Sequence, residues 1–134
     1  MYKYISIFLL LFMSCSDSNI QRCPEIIYNS INKLTSLPDG SLYTGRCLVY
    51  EGDLKKSIQQ YLDGVDYGKW VFYFPNGKIE TKGKFRNGVR VGKWKYYYES
   101  GALRQVSSYS KTGQRSGKWT VYKENGDIDK VVNY

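Results

Sequence analysis

The 134-residue chain contains no histidine. The side chain that most often serves as general base or metal ligand near neutral pH is therefore absent. Cysteine is scarce: Cys15, Cys23 and Cys47 are the full set, and no cluster of them has zinc spacing. Beyond residue 15 no apolar run is long enough to cross a bilayer as a helix, which takes roughly 20 residues. The longest such run, Trp70-Val71-Phe72-Tyr73-Phe74, has the composition of a strand. Acidic residues are outnumbered, 12 against 20 Lys and Arg, for a net charge of +8. No catalytic residue, metal site or cofactor emerges from this inventory, and the reading is of a protein that is not an enzyme.

Weaker motifs do not change that. Gly113-Gln114-Arg115-Ser116-Gly117-Lys118 echoes a phosphate loop but is one residue short. It also has Trp119 where Ser or Thr is required, and no helix follows. Asp127 with Asp129, and Asp63 with Asp66, sit near turns of a polar sheet and read as solvent-facing. Lys93, Lys95 and Tyr96-Tyr97-Tyr98 interleave as a stacking platform for single-stranded nucleic acid would. Tyrosine is an expected strand residue, however, and an exported chain meets little nucleic acid.

What the chain does have is repetition. Gly-Lys-Trp occurs at Gly68-Lys69-Trp70, Gly92-Lys93-Trp94 and Gly117-Lys118-Trp119, and every tryptophan lies in one of these triplets. A period of this length is one supersecondary unit copied along the chain. Each copy holds two aromatic or β-branched runs around a turn: Pro75-Asn76-Gly77, Glu99-Ser100-Gly101, Glu124-Asn125-Gly126. That is the pattern of a β-hairpin. A degenerate earlier copy starts at Gly45, with Cys47 in the tryptophan slot. Glycine every ten or so residues would cost about 1 kcal/mol each inside a helix, so helices are a poor alternative.

The expected fold is all-β: an open antiparallel meander of repeated hairpins, about eight short strands in all. Alternation places Trp70 and Phe72 on one face and Val71 and Tyr73 on the other. The tryptophan face is the expected core, formed by Trp70, Trp94 and Trp119 with Phe72, Phe85, Tyr96 and Tyr109. A lone hairpin is marginal in water, so the units must share this face. Truncating a tryptophan would cost roughly 3–5 kcal/mol. Tyr73, Tyr97 and Tyr122 fall opposite and form the candidate binding face.

These residues resemble the MORN repeat, and more closely its bacterial variant. That unit has a Gly-x-Trp-x-x-Tyr stretch, an Asn-Gly turn, a second strand and another Asn-Gly. Gly68 to Tyr73, Gly92 to Tyr97 and Gly117 to Tyr122 match it, as do Asn76-Gly77 and Asn125-Gly126. The resemblance covers roughly residues 39–134. It implies a scaffold or interaction module. Relatives of this variant include YwqK-like antitoxins, so it also implies an alternative: an antitoxin or immunity protein with a toxin partner.

The N-terminus reads separately. Lys3, the apolar run Ile5 to Met13, and Ser14-Cys15 fit a secretory signal over residues 1–14. Cys15 directly after it resembles the lipidated cysteine of a bacterial lipoprotein; the alternative reading of the segment is an uncleaved membrane anchor. Ser16 in the next position resembles sorting to an outer membrane, where the cell has one. Residues 15–38 then form a tether and a short capping helix: Pro24 suits a first turn, and Ile27, Ile31 and Leu34 share a helical face. Cys23 and Cys47 have two readings. They form a disulfide, closing a loop of about 24 residues worth on the order of 3 kcal/mol, or Cys47 is a buried free thiol. The basic excess would suit an anionic lipid, a cell-wall polymer or an acidic protein. It reads more simply as solvated lysines that keep an open sheet soluble. The functional expectation is an exported, membrane-anchored envelope lipoprotein whose repeat sheet binds an unknown protein or envelope component.

Overall fold

The computed structural model describes residues 20–134. The signal segment and the lipidation expected at Cys15 lie outside them. Two short strands come first, β1 (Ile27–Asn29) and β2 (Leu34–Ser36), paired antiparallel with each other. The main sheet holds β3 (Gly45–Glu51), β4 (Leu54–Leu62), β5 (Val65–Asp66), β6 (Gly68–Tyr73), β7 (Ile79–Arg86), β8 (Val89–Tyr97), β9 (Leu103–Tyr109), β10 (Lys118–Tyr122) and β11 (Ile128–Asn133). Its order is β11-β10-β9-β8-β7-β6-β4-β3, with β5 alongside β4. Every pairing is antiparallel and the path follows the chain, so the sheet is an open meander.

No helix occurs among the described residues, which corrects the capping helix expected between Pro24 and Leu34. Asn29 and Asn32 decide the matter. The Asn29 side-chain oxygen accepts the amides of Ile31 and Asn32 at 2.9 and 3.3 Å, and Asn32 accepts that of Leu34 at 3.0 Å. Such side-chain turns compete with a helix for the same amides. Lys33 completes the reversal at φ 60°. Ile31, counted on the helix's apolar face, is 92% exposed at the hairpin tip.

The repeats share one geometry. Each triplet glycine lies at positive φ, 67° for Gly68, 66° for Gly92 and 63° for Gly117, where a side chain is disfavoured. There the first strand of the unit bulges away from the strand before it. Tyr61 pairs with Asp66, Phe85 with Arg90 and Tyr109 with Arg115 on the near side of the bulge. The bulge leaves room for the next tryptophan to reach back. The indole N–H of Trp70 donates to the Gln60 carbonyl at 2.9 Å, that of Trp94 to Lys84 at 3.2 Å, and that of Trp119 to Ser108 at 2.9 Å. Each tryptophan therefore ties its own repeat to the preceding one.

The core runs along the sheet as a row of rings. Tyr43, Tyr61, Trp70, Phe85 and Trp94 follow one another with centroids 5.7, 5.4, 4.9 and 5.0 Å apart, all edge-to-face. Tyr109, Trp119 and Tyr134 continue the row at 5.3 and 5.0 Å. Edge-to-face pairs add about 0.5–1.5 kcal/mol each beyond the area they bury. Trp94 is 0% and Trp70 7% exposed, while Trp119, in the last repeat, is half-buried. Phe72, Phe85, Tyr96 and Tyr109 are half-buried beside them.

The two sheet edges differ. At β3, residues 21–23 run parallel to the strand: Leu48 N–H donates to Gln21 and Cys23 N–H to Leu48, at 2.8 and 2.7 Å. A disulfide between Cys23 and Cys47, with Cα atoms 4.7 Å apart, fastens this cover. The β3 edge is thereby blunted. No strand pairs with the outer side of β11 among the described residues.

Candidate binding face

Strand alternation and register build one distinctive surface, opposite the tryptophans. Lys69 and Val71 of β6 stand across from Lys84 and Lys82 of β7. Lys82 in turn stands across from Lys95 of β8, and Lys84 across from Val91. On the far side of β8, Lys93 and Lys95 face Ser108 and Val106 of β9. Lys118 joins them on β10 by alternation with Thr120, which pairs with Val106. Thus Lys69, Lys82, Lys84, Lys93, Lys95 and Lys118 share one face. Among the described residues the ion pair is elsewhere, between Lys56 and Glu51 at 2.8 Å.

Between β6, β7 and β8 this face sinks into a shallow groove of about 430 Å³. Trp70, Val71, Gly83, Val91 and Gly92 supply the uncharged lining, and five lysines surround it: Lys69, Lys82, Lys84, Lys93 and Lys95. No carboxylate lines it.

The tyrosines chosen from the sequence also lie on this side. Tyr73, Tyr97 and Tyr122 each follow a register shift in their strand, as does Tyr50 in the degenerate copy. All four are half-buried. Their rings are partly occupied. Lys55 Nζ lies 4.0 Å from the Tyr73 ring centre, Lys82 Nζ 5.4 Å from Tyr97, and the Arg22 guanidinium 4.5 Å from Tyr50. A cation over a ring is attracted by the ring quadrupole, by about 0.5–1 kcal/mol when exposed. Sequence reasoning missed these partners, because each comes from a neighbouring segment with no fixed sequence spacing to the tyrosine.

On the tryptophan face the same device recurs at a fixed position, two residues before the triplet. Arg90 lies 4.6 Å over Trp94, and Arg115 5.2 Å over Trp119. Asp66 holds the equivalent place in the first good copy, and burial raises its carboxyl above the usual range. Burial also pushes Tyr61 up to about 12, with the Asp66 charge adding to the effect. Tyr96 is pushed up to about 12 by burial first and by its hydrogen bond to Tyr109 second. These are core tyrosines kept neutral. The carboxylates weighed earlier do not converge: Asp63 is engaged with Thr44, and Asp127 with Asn125 at 2.8 Å. No group of three or more His, Cys, Asp or Glu side chains with metal-binding geometry is found among the described residues.

Two segments, residues 66–87 and 90–111, match the model of the MORN repeat variant. Together they span Asp66 of β5 and the strands β6 to β9, the stretch that carries the groove. The matches support a MORN-type repeat protein. No curated protein matches the chain. One solved structure, the crystal structure of the GtfA/B complex bound to UDP and GlcNAc, is similar at 12% identity and a TM-score of 0.39. The likeness covers 83% of this chain and 27% of that one. This chain therefore spans about a quarter of that protein's length, and a likeness this loose carries no argument.

Proposed function

We propose that this protein is a non-enzymatic binding module, held at a bacterial cell envelope by a lipid on Cys15, whose lysine–tyrosine face engages another macromolecule. The observation that carries the reading is the face itself. Six lysines point the same way, and two pairs, Lys69 with Lys84 and Lys82 with Lys95, stand directly across from each other. Like charges directly opposite on a sheet are destabilising, a cost that solubility alone does not require and a binding role accounts for. MORN-type repeats suit a binding or scaffolding role. A Cys23–Cys47 disulfide suits an oxidising space outside the cytoplasm.

The test is affinity capture from intact membranes followed by mass spectrometry, with wild-type, Tyr97→Ala and Lys95→Glu proteins. A partner retained by wild-type and lost with either variant is expected, and its identity, toxin or envelope component, reads out directly. If no partner is enriched, or none responds to any change on this face, the reading is wrong.

A further inference from the structure

We infer that the groove between β6, β7 and β8 receives an extended acidic peptide segment of the partner, with an aliphatic side chain against Val71 and Val91 and carboxylates against the rim lysines. This rests on the binding-module reading above and names the chemistry of its partner.

Charge complementarity is the first argument. Five ammonium groups surround the groove and no carboxylate lines it. The acidic residues of this stretch are elsewhere. Asp66 is half-buried near Tyr61. Glu80 sits at the register shift facing Phe72 and Tyr73. Glu99 lies in the turn after β8, where its carbonyl accepts the Asn76 side chain at 3.1 Å. A cluster of one sign in a concave, partly apolar place concentrates its field on whatever enters. It also selects against partners of the same sign.

The apolar lining decides which kind of anion. Trp70, Val71, Gly83, Val91 and Gly92 form the non-charged part of the groove, with Val71 and Val91 its aliphatic side chains. A bare polyanion would set its charged oxygens against these groups and gain nothing from them. A peptide alternates its side chains, so one aliphatic group can enter while its acidic neighbours reach the rim. Single-stranded nucleic acid gains base stacking only from open aromatic platforms. The rings beside the groove are already partly occupied, Tyr73 by Lys55 and Tyr97 by Lys82.

The experiment is fluorescence anisotropy with the detergent-solubilised full chain. The probe is a labelled pentapeptide with one leucine between two acidic pairs. Three comparison probes carry serine for leucine, lysine for the acidic residues, or a single-stranded oligonucleotide of similar charge. The acidic leucine peptide is expected to bind, more weakly as salt rises, and the serine peptide to bind several-fold more weakly. Lys84→Glu and Lys95→Glu should each weaken binding roughly tenfold or more. The same changes should hold or raise the thermal midpoint, because each removes a like-charge pair from the sheet. That opposite movement separates a binding role from a structural one.

The inference is overturned if the oligonucleotide binds as tightly as the peptide, or if serine for leucine makes no difference. It is also overturned if the acidic peptide does not bind, or if the charge reversals leave its affinity unchanged. If membrane capture still succeeds with Lys84→Glu and Lys95→Glu but fails with Tyr97→Ala, the binding module stands and this groove is not its site.

Discussion

Replacing Gly83 with alanine probes how the tryptophans are seated. Gly83 pairs with Trp70 across β6 and β7, and the Trp94 ring lies against it. A methyl built there would collide with Trp94 Cδ2 and Cε2. The ring has little room to retreat: Trp94 is fully buried, its N–H is held by the Lys84 carbonyl, and Phe85 and Arg90 pack on it at 5.0 and 4.6 Å. Gly83 is not in the left-handed region, so the backbone itself would accept alanine. By reducing the freedom of the unfolded chain, the change would even stabilise the fold by about 0.4–1 kcal/mol. Forcing a methylene-sized group into a packed core costs about 1–3 kcal/mol, and a contact this short belongs at the upper end. The net expectation is a loss of about 2 kcal/mol. For a domain of this size that lowers the thermal midpoint by about 8 °C. Circular dichroism melts would read it. The loss should shrink by more than about 1 kcal/mol in a Trp94→Phe background, because the two sites touch. Gly77→Ala is the control. Gly77 sits at φ 80° with nothing near its missing side chain, so its cost of roughly 1–2 kcal/mol should be indifferent to Trp94. A midpoint that is unchanged or raised in Gly83→Ala, or a loss that ignores Trp94→Phe, would refute this account of the core.

Three further outcomes are expected. Reducing the Cys23–Cys47 disulfide, or replacing both residues with serine, should cost on the order of 3 kcal/mol and raise hydrogen exchange at Leu48; an unchanged melt in reductant would count against the cover at β3. Tyr61 and Tyr96 sit near 12 when folded and titrate near 10 when unfolded. Their contribution is thus intact below pH about 10 and lost as pH rises towards 12, by up to about 1.4 kcal/mol per pH unit for each. Denaturant midpoints that stay flat through pH of about 11, or tyrosinate absorbance complete by that point, would contradict the burial. Cys15→Ala should release the chain from membranes or block its processing while leaving the fold intact; a variant still membrane-bound at high salt, with its N-terminal segment removed, would place the anchor elsewhere.

Much of this architecture was legible because the repeat wrote it three times. Tryptophan, glycine and turn positions gave the hairpins, the order of strands and the face that carries Trp70 and Trp94. The first hairpin was not legible. Ile27, Ile31 and Leu34 have helical spacing, but the side-chain turns of Asn29 and Asn32 outweigh a weak apolar stripe with nothing to pack against. The triplet glycines were visible as a motif, but that they open bulges that let an indole cross between repeats is shown only by backbone geometry. The lysine face was half visible. The recurrence of Lys69, Lys93 and Lys118 was plain, but Lys82, Lys84 and Lys95 are brought beside them by register, which bulges shift by amounts the sequence does not display.

The indole bonds between neighbouring units have a bearing on how such a chain changes over generations. Each tryptophan belongs to one copy in sequence but finds its acceptor in the copy before. The donor recurs in all three triplets, and the acceptors Lys84 and Ser108 hold the same phase in the two copies that precede another. A duplication or deletion of one period, the 24 residues from Gly68 to Val91, restores both halves of the bond at the new junction wherever the cut falls. The length of the sheet, and with it the reach of the lysine row, can thus be altered in whole steps by a single recombination event, with no new interface to invent.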